Sequence, residues 1–549
     1  MMRNKILFAG MFILIFSGFV RYDSDFYFEI NKSIDIFGRV YKEVAINYVD
    51  PINPKEFMLA GITGMLESLD PYTNFIDDVH QKDIDIITKG KYGGIGATVG
   101  LRNENVTIVD LIEGYSAQRQ GLRIGDVIIK VDDTPVNKDN YESLSNLLKG
   151  EPGTTVKLTI KREGVNEELI FNLIREEIEV KNLSFYGFVP ENSNNVYLKL
   201  SGFSRSAGEE VKKALLELKS KKNIESIILD LRGNPGGLLD AAIDVCEKFL
   251  QKGALIVTVK GRDSSSIKKY YSNEEPIAAN PKLAVLIDEG SASASEIVAG
   301  AIQDHDRAVI VGTNSFGKGL VQTVIPLSYN TSLKITTARY FTPSGRCIQK
   351  VNYSEKNKVL LQNTVQFQNE FKTDNKRKVF SAGGITPDSI VYNKSKSKLI
   401  QRLLADGMFF RFATHLYNKK PINNLNVISD SYLIQEFKNY LKDQRFQFVS
   451  PIEKMIEQLK QYAREEGLGE NFVEQLNKTL DKISENNFIE IDRFKDEIVS
   501  LIKEELAART VGRIGRILES LKYDKQFEVA LSILNNSQLY NKLLNANVH

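Results

Sequence analysis

The spacing of apolar and polar residues changes three times along the chain. An early stretch, with segments such as IDIFGRVYKEVAINYV, repeats apolar positions every three or four residues, which predicts amphipathic helices. Short alternating runs such as VTIVDLI and TTVKLTIKR then predict the strands of a small β-rich domain. A third stretch alternates buried strands such as SIILDL with helices, and the last stretch is charged with helical spacing. The sequence thus predicts an α+β multidomain protein with a leader at 1–22, a helical region at 23–83, a β-rich domain at 84–175, an α/β core at 176–397 that contains a polar insertion at 351–380, and a helical C-terminal region at 398–549.

The first 22 residues predict export. Arg3 and Lys5 precede the apolar run Ile6–Val20, and a positive start before such a run is typical of a secretory signal. The run is short for a membrane-spanning helix, which needs about 17–25 residues, and no clear cleavage site follows it. A cleaved signal and an uncleaved membrane anchor both stay open, and either predicts a protein in the periplasm or facing it.

The overall composition is that of an ordinary folded protein. Hydrophobic residues make up 42% of the 549 residues and charged residues 26%, which excludes wholesale disorder and a polytopic membrane protein. The formal net charge of +2 gives no field that would attract nucleic acid. Two cysteines cannot build a four-cysteine zinc site, although a Cys246–Cys347 disulfide stays open, and four histidines leave few candidates for histidine chemistry.

A serine-rich turn follows the apolar strand LAVLI. In DEGSASASEI the small residues let the backbone turn sharply out of a sheet, and Ser293 falls at the first turn of the next helix. Backbone amides and the positive helix end at such a position can stabilise an oxyanion. Ser293-x-x-Glu296 is also a capping box, so this segment alone favours a helix cap over a catalytic serine.

A second turn, Gly312–Gly319, places Lys318 among glycines after the strand AVIV. It nearly matches a phosphate-binding loop, but Gly319 replaces the metal-binding hydroxyl and a strand-like run follows, so nucleotide binding is disfavoured. A solvated lysine in a hairpin is one interpretation. The other is a catalytic lysine, because a desolvated neutral amine can take a proton from a serine. Gln322 on the following strand could hold that amine by hydrogen bonding without adding charge.

A third turn, Asp230–Gly237 (DLRGNPGG), lies between a buried strand and a helix. Three glycines and a proline fix its shape and leave its amides without nearby side-chain cover. Such a turn suits the backbone half of an oxyanion hole, and a plain strand–helix connection is equally compatible with the residues.

The three turns, in this order and behind a β-rich domain, resemble the C-terminal processing peptidases, also called tail-specific proteases. The resemblance implies a mixed α/β protease core of the crotonase or Clp-like kind. It also implies a serine-type endopeptidase that trims or degrades proteins from their C-terminal region. The matching strings span about Leu69–Asp388 and are LDPYTNF, YGGIG, IGDVIIKVDD, ILDLRGNPGG, DEGSASASEIVAGAIQDHDRAVIVG, SFGKGLVQT, ITTARYFTPSGRCIQ and GGITPD.

The resemblance further implies roles for single residues. Ser293 aligns with the nucleophile and Lys318 with its general base, in a mechanism that needs no metal, nucleotide or other cofactor. Gln322 aligns with a glutamine that orients the lysine in part of the family, and Asp304 with an acidic position of supporting role. The implied oxyanion amides are those of Ala294 and of Gly236 or Gly237.

The β-rich domain resembles a PDZ domain, which accepts a peptide as an added strand and holds its free carboxylate with backbone amides. Arg119 and Arg123 could attract that carboxylate, but ordinary surface charge is the simpler interpretation. The implied partners are protein substrates with free C-termini, and no nucleic acid. The positions that match the carboxylate-binding loop are Tyr92, Gly93, Gly94, Ile95 and Gly96.

Other interpretations stay open on the sequence alone. His305 could replace the lysine as base, although the polar run around it predicts a solvated helix end. A catalytically silent PDZ scaffold and a crotonase-like acyl enzyme are rival classes, and the pair of Ser293 and Lys318 disfavours both. The helical regions at the two ends could pack within the chain, form a homo-oligomer or dock an adaptor, and the N-terminal segment could contact a membrane.

Overall fold

The computed structural model describes the chain in two compact units. The smaller contains residues 1–79, 322–336 and 352–364, and the larger contains the rest. The described residues are 2–77, 90–351, 353, 369–381, 383–393, 396–420, 422, 424–449, 451–485 and 491–545, with side chains from Asp25 onward.

The smaller unit begins with helices α1 (Met2–Asn47) and α2 (Pro54–Glu67), followed by strand β1 (Asn74–Ile76). The side chain of Asn53 accepts the Lys55 N–H and caps α2, and Pro54 occupies the first helical position. The amphipathic helices predicted for the early stretch are therefore confirmed. β1 pairs antiparallel with residues 332–334 of a later strand.

Residues 90–179 form the predicted β-rich domain. Its main sheet is antiparallel in the order β3-β4-β5-β7-β8, so β3 is an edge strand, and β2 pairs separately with β9. Ile108, Leu158 and Leu144 lie in its buried core. The elements are β2 (Lys91–Gly94), β3 (Ala97–Arg102), β4 (Asn105–Leu111), α3 (Ser116–Arg119), β5 (Val127–Val131), β6 (Thr134–Pro135), α4 (Tyr141–Leu148), β7 (Thr155–Lys161), β8 (Leu169–Ile174) and β9 (Glu176–Glu179).

The α/β core contains a six-stranded sheet and a smaller antiparallel sheet. Its elements are β10 (Leu183–Phe188), β11 (Asn195–Leu200), α5 (Ala207–Lys221), β12 (Ser226–Asp230), α6 (Leu239–Glu247), β13 (Leu255–Gly261), β14 (Ile267–Tyr271), β15 (Lys282–Ile287), α7 (Ala294–Asp304), β16 (Val309–Gly312), β17 (Leu320–Pro326), β18 (Ser332–Phe341), β19 (Glu370–Lys372), β20 (Lys378–Phe380) and β21 (Ser389–Ile390).

The six-stranded sheet has the order β10-β11-β12-β15-β16-β21, and all its pairs are parallel except β10 with β11. Its central strands are buried on both faces, as a parallel sheet with covered faces requires. Along β12, Ile227 and Leu229 join the core formed with α5, α6 and α7, whereas Ile228 joins a different cluster. The two sides of the sheet therefore have different covers.

The C-terminal region is helical, as predicted, and its last two helices form the second cover of the sheet. Phe527, Leu534 and Tyr540 pack with Tyr197 and Ile228 from the sheet strands. The preceding helices share a core of their own. The helices are α8 (Lys398–Ala405), α9 (Met408–Lys419), α10 (Asp430–Asp443), α11 (Pro451–Glu465), α12 (Glu470–Glu485), α13 (Lys495–Thr510), α14 (Arg513–Leu521), α15 (Lys525–Asn535) and α16 (Ser537–Leu544).

Three other expectations from the sequence concern the insertion, the cysteines and the leader. Most of the polar insertion, residues 354–368, lies outside the described residues. Cys246 and Cys347 are both buried and carry free thiols. Among the helices that the structure describes, none is both long and apolar enough to cross a membrane.

The packing of α15 on the sheet predicts a large effect of trimming its side chains. Leu534 is 2% exposed in this layer, so Leu534→Ala should lower the free energy of unfolding by about 3 kcal/mol, through lost burial and the cavity left behind. Leu518→Ala is the matched control, because Leu518 is 38% exposed. Urea denaturation followed by circular dichroism measures both. Equal midpoints for the two variants would contradict this packing.

Candidate active site

The three turns singled out in the sequence lie at one edge of the parallel sheet. They follow β12, β15 and β16, which are neighbours and run in the same direction. Because the carboxyl ends of parallel strands meet at one edge, the turns after them are brought side by side. Three turns that are far apart in the sequence thereby form one site.

Ser293 connects β15 to α7 in a strained backbone conformation. Its φ of 55° and ψ of −111° lie outside the regions that non-glycine residues normally adopt. The two neighbouring serines are buried, and their hydroxyls donate to carbonyls of the turn after β12, Ser291 to Leu231 O and Ser295 to Asn234 O, each at 2.9 Å. Ser293 is only half-buried, so it is the serine of the three that faces the open side of the site.

A buried carboxylate joins Ser293 to Lys318. Glu296 Oε2 accepts the Ser293 N–H at 2.8 Å and the Lys318 N–H at 2.9 Å. Glu296 Oε1 accepts the Ser315 hydroxyl at 2.6 Å and the Gly317 N–H at 2.7 Å. The backbones of the predicted nucleophile and the predicted base are therefore held by the same oxygen atom.

The ionisation of Glu296 is opposed by its surroundings. The side chain is fully buried, and burial raises the pKa of its carboxyl to about 7, although its four hydrogen bonds favour the ionised form. Because all four are donated to its oxygens, a proton on either oxygen would compete with one of them. The link between the two turns is therefore strongest when Glu296 is ionised.

Tyr340 holds the same two residues by their carbonyls. Its hydroxyl lies 2.6 Å from Lys318 O and 3.1 Å from Ser293 O, and its side chain is 1% exposed. Glu296 thus binds the amides of Ser293 and Lys318 while Tyr340 binds their carbonyls. The relative position of the two backbones is fixed from both sides, and the Lys318 side chain is half-buried.

The glycine turn after β12 closely approaches Ser293. Gly236 has a φ of +99°, and a Cβ at this position would lie 2.9 Å from Ser293 Cβ and 2.9 Å from Ala294 N. No residue with a side chain would fit this approach without displacing the neighbouring backbone.

Two backbone donors at this approach have no partner in the part of the chain that the structure describes. The Gly236 N–H donates to Asn234 Oδ1 at 2.9 Å. In contrast, neither the Gly237 N–H nor the Ala294 N–H has a hydrogen-bond acceptor among the described residues. Of the two glycines that the sequence left as alternatives, the structure favours Gly237 as a free donor.

Asp304 and His305 lie at the other end of α7. At 1.5 Å per residue the helix separates them from Ser293 by about 15 Å. Asp304 pairs with buried Arg346 at 2.8 Å, and its other oxygen accepts the Ser344 N–H. Both ring nitrogens of His305 are engaged, Nδ1 with Asp374 Oδ2 and Nε2 with Leu255 O. The structure does not bring either residue to the serine.

Gln322 belongs to the smaller unit, where it lies on β17. Its side-chain amide donates to Thr336 Oγ1 at 3.2 Å, and the side chain is half-buried. The role of orienting Lys318, which the resemblance implies, stays a prediction.

The β-rich domain has a groove of about 300 Å³ beside its edge strand. Predicted residues Tyr92, Gly94 and Ile95 line one end of it. Gly93 passes so close to Gly150 that a Cβ would lie 1.9 Å from its carbonyl oxygen, and Gly96 has a φ of +78°. The rest of the lining comes from β3, α4 and the residue after it, namely Ala97, Thr98, Val99, Tyr141, Glu142, Leu148 and Lys149.

The cation at this groove is not one of the two arginines considered from the sequence. Arg119 pairs with Glu176 at 3.0 Å, and the Arg123 N–H donates to Asp126. Lys149 lines the groove instead, with its Nζ 5.9 Å from the centre of the Tyr92 ring. Its position directly after α4 gives no local signal that it faces the groove.

The sequence around Glu296 indicates more than a helix cap. Every residue of α7 is buried, and the helix is otherwise composed almost entirely of small and apolar residues. A glutamate in such a run indicates a buried charge that must have specific partners. Tyr340 lies in the matched string ITTARYFTPSGRCIQ, but nothing in its local pattern shows that its hydroxyl reaches two other turns.

The raised pKa of Glu296 predicts a pH dependence of stability. Between pH 4.5 and about pH 7 the folded protein holds this proton and the unfolded chain does not, so the free energy of unfolding falls as pH rises through that window. At about 1.4 kcal/mol per pKa unit, this amounts to about 3 kcal/mol. Glu296→Gln should remove this slope in urea denaturation measured at a series of pH values.

The matched control for this pH series is Glu289→Gln, which alters an exposed carboxylate of the same turn. Its stability should follow pH in parallel with the wild type. If Glu296→Gln also runs parallel to the wild type, the carboxyl of Glu296 does not titrate in this range.

Comparison with known proteins identifies the parts of the chain. Residues 194–356 match peptidase family S41, residues 93–173 match the PDZ domain, and residues 399–534 match the family described as "Probable PDZ-protease, C-terminal helical domain". The photosystem II D1 C-terminal processing protease is a similar solved structure, with 26% identity, a TM-score of 0.36, and coverage of 64% of this chain and 85% of the other.

Two curated relatives are similar over more than half of this chain. The carboxy-terminal processing protease CtpB of Bacillus subtilis is 32% identical over 325 residues, which cover 59% of this chain and 67% of the relative. The carboxy-terminal-processing protease of Bartonella bacilliformis is 38% identical over 323 residues, which cover 58% of this chain and 73% of the relative. At this identity and coverage, together with the family matches, the chain belongs to the carboxy-terminal processing proteases, which are serine-type peptidases of family S41.

Proposed function

We propose that the protein is an exported endopeptidase that captures the C-terminal tails of other proteins in its PDZ groove and cleaves them with Ser293 and Lys318. The observation that carries this proposal is the shared Glu296 oxygen, which binds the amides of both residues. Capping of α7 alone would not require the turn that carries Lys318 to bind the same Glu296 oxygen. The two unpaired amides beside Ser293 add the remaining element of an acyl-transfer site.

In the proposed reaction, neutral Lys318 takes the proton of the Ser293 hydroxyl as the oxygen attacks the scissile carbonyl. The negative charge that develops on the carbonyl oxygen is stabilised by the N–H groups of Ala294 and Gly237. Protonated Lys318 then gives its proton to the leaving amine, and water hydrolyses the acyl-enzyme. Gln322 is proposed to orient the lysine amine.

The rigidity of the site supports this assignment. Glu296 and Tyr340 are buried and bind backbone atoms of Ser293 and Lys318. These hydrogen bonds therefore fix the two backbones without engaging the Ser293 hydroxyl or the Lys318 amine. A proton transfer of this kind depends on heavy-atom geometry within a few tenths of an ångström. Strain at Ser293 is sustained because these hydrogen bonds over-determine the turn.

The PDZ groove is proposed to bind the substrate tail. β3 is an edge strand with an unpaired side next to α4, the arrangement to which an extended peptide adds as a further strand. The Tyr92–Gly96 loop would receive the terminal carboxylate, and the apolar side chains of Val99 and Leu148 favour an apolar last residue. Lys149 would supply a positive charge for the carboxylate.

Export and assembly are further parts of the proposal. The apolar run Ile6–Val20 after two basic residues supports transfer to the periplasm, with contact to the membrane if the run is retained. Large apolar residues of α1, including Phe28, Ile34 and Phe37, are more than half exposed. Such a surface is suited to a second copy or an adaptor protein.

The catalytic assignment predicts a clear pattern of single substitutions. Ser293→Ala and Lys318→Ala should each abolish cleavage of β-casein, because the first removes the nucleophile and the second its base. His305→Ala is the control and should keep most of the activity, since both of its ring nitrogens are engaged elsewhere. Gel electrophoresis and fragment masses provide the measurement. Surviving cleavage in Ser293→Ala would move the nucleophile to another residue.

The tail-binding assignment predicts a dependence on the substrate carboxylate. A reporter peptide that ends in a free apolar residue should bind Ser293→Ala about tenfold more tightly than its C-terminal amide, because the amide removes a charge-assisted hydrogen bond. Fluorescence anisotropy measures both dissociation constants.

Lys149→Met provides the matched variant for this comparison. It should weaken binding of the free-acid peptide and leave binding of the amide unchanged, so that the two affinities become similar. If the free acid and the amide bind equally well to Ser293→Ala with an unaltered Lys149, the groove does not recognise the carboxylate.

A further inference from the structure

The catalytic edge of the sheet is contacted by a residue from the far end of the chain. Asp524, directly before α15, bonds the guanidinium of Arg232 through both carboxylate oxygens, Oδ2 to Nη2 at 2.6 Å and Oδ1 to Nη1 at 3.0 Å. Gln526 Oε1 accepts from the same Nη1 at 2.9 Å. Arg232 is part of the glycine turn that ends at Gly237. A helix of the C-terminal region is thus attached to the turn that carries one unpaired amide.

Arg232 bridges this helix to a fully buried carboxylate at the end of β12. Its Nη2 lies 2.7 Å from Asp230 Oδ2, and its Nε and backbone N–H donate to Asp230 Oδ1 at 3.0 and 2.9 Å. Burial opposes the charge of Asp230, but Arg232 and Lys199 outweigh it and hold the pKa of that carboxyl well below its usual range. The guanidinium is therefore fixed between two carboxylates, one from the sheet and one from α15.

Arg232 and Gly237 are five residues apart in the same turn, and hydrogen bonds hold the backbone between them. The Arg232 carbonyl accepts from Lys199 Nζ at 2.9 Å, and the next amide, that of Gly233, donates to Asp288 Oδ1 at 2.8 Å. Asn234 then donates to Leu200 O and accepts the Gly236 N–H. Each of these bonds depends on the position of the backbone. An amide stabilises an oxyanion only within a narrow range of distance and angle.

We propose that Asp524 is a positioning residue for the oxyanion site: by fixing the Arg232 guanidinium from α15, it holds the backbone turn that presents the Gly237 amide. This inference rests on the proposed function, in which that amide binds the oxyanion. It makes the C-terminal helical region a component of the catalytic centre, with Asp524 acting only through Arg232.

Asp524 has a second role that the test must separate from the first. It is the N-cap of α15, with its Oδ1 accepting the N–H groups of Gln526 and Phe527 at 3.0 Å. Serine is an equally good N-cap but is too short to reach the guanidinium. Asp524→Ser therefore keeps the cap and removes the contact to Arg232, whereas Asp524→Asn keeps the cap and a neutral hydrogen bond.

The control variant weakens the same helical pair without touching Arg232. Asn536 lies at the opposite end of α15 and caps α16, where its Oδ1 accepts the Leu539 N–H at 3.1 Å. Asn536→Ala should lower the melting temperature through the lost cap and leave kcat unchanged. Asp524→Ser should do the reverse, with a nearly unchanged melting temperature and a lower kcat.

The experiment measures kcat and KM for a tail-bearing peptide in the full-length protein. Asp524→Ser should lower kcat about tenfold with KM within twofold, because ground-state binding in the PDZ groove does not involve this turn. Asp524→Asn should fall between Asp524→Ser and the wild type. A purely structural role would lower the amount of folded enzyme and not the turnover of the folded fraction.

A transition-state analogue gives an independent readout. A peptide aldehyde adds the Ser293 hydroxyl across its carbonyl, and the resulting oxygen occupies the oxyanion site. Its affinity for Asp524→Ser should fall by the same factor as kcat, while binding of a tail peptide stays unchanged. An unchanged kcat in Asp524→Ser, or an unchanged aldehyde affinity beside a lower kcat, would overturn the inference.

The failure of this inference and that of the proposed function give different results. Retained cleavage in Ser293→Ala contradicts the proposed function, whatever Asp524→Ser does. An inactive Ser293→Ala together with a fully active Asp524→Ser, or an equal loss of kcat in Asn536→Ala, contradicts the positioning role alone.

Discussion

The arrangement of the candidate active site depends on one buried carboxylate. Glu296 has no access to solvent, and its two oxygens accept four hydrogen bonds, three of them from backbone amides. Removing a carboxylate from water costs several kcal/mol, which only well-aligned donors can offset. The two turns that carry Ser293 and Lys318 supply those donors, so neither turn can move away without leaving the charge uncompensated. The burial of this carboxylate therefore fixes the position of the Ser293 turn relative to the Lys318 turn.

The parallel sheet explains why three turns are available to meet at all. β12, β15 and β16 run side by side, and each ends in a turn at the same edge. Sheets of this kind need a cover on both faces, because their strands are apolar throughout. Here the helices between the strands cover one face of the sheet. The other face is covered by α15 and α16, which lie more than 200 residues after most of the strands in the sequence. The same constraint that shapes the site therefore requires the distant helices.

Much of this organisation could be predicted from local patterns. Alternation and apolar runs identified the strands, and glycines identified the three turns, because each of these features acts within a few residues. The contact of Asp524 with Arg232 could not be predicted, since the two residues are separated by 292 positions and charged residues at helix starts are common. The helical spacing of the C-terminal region predicts helices, but it does not show against which surface α15 packs. Glu296 was visible as a cap, whereas its partners on the lysine turn depend on the pairing of β15 with β16.

The double cover of the sheet has a consequence for the order in which the protein matures. Translation delivers every strand of the sheet before α15 and α16, so a nascent chain holds an uncovered apolar face until residues 525–544 have emerged. Asp524, directly before α15, then joins Arg232 in the turn after β12. The candidate active site therefore reaches the arrangement described above only after α15 and α16 have packed onto strands that were synthesised before them.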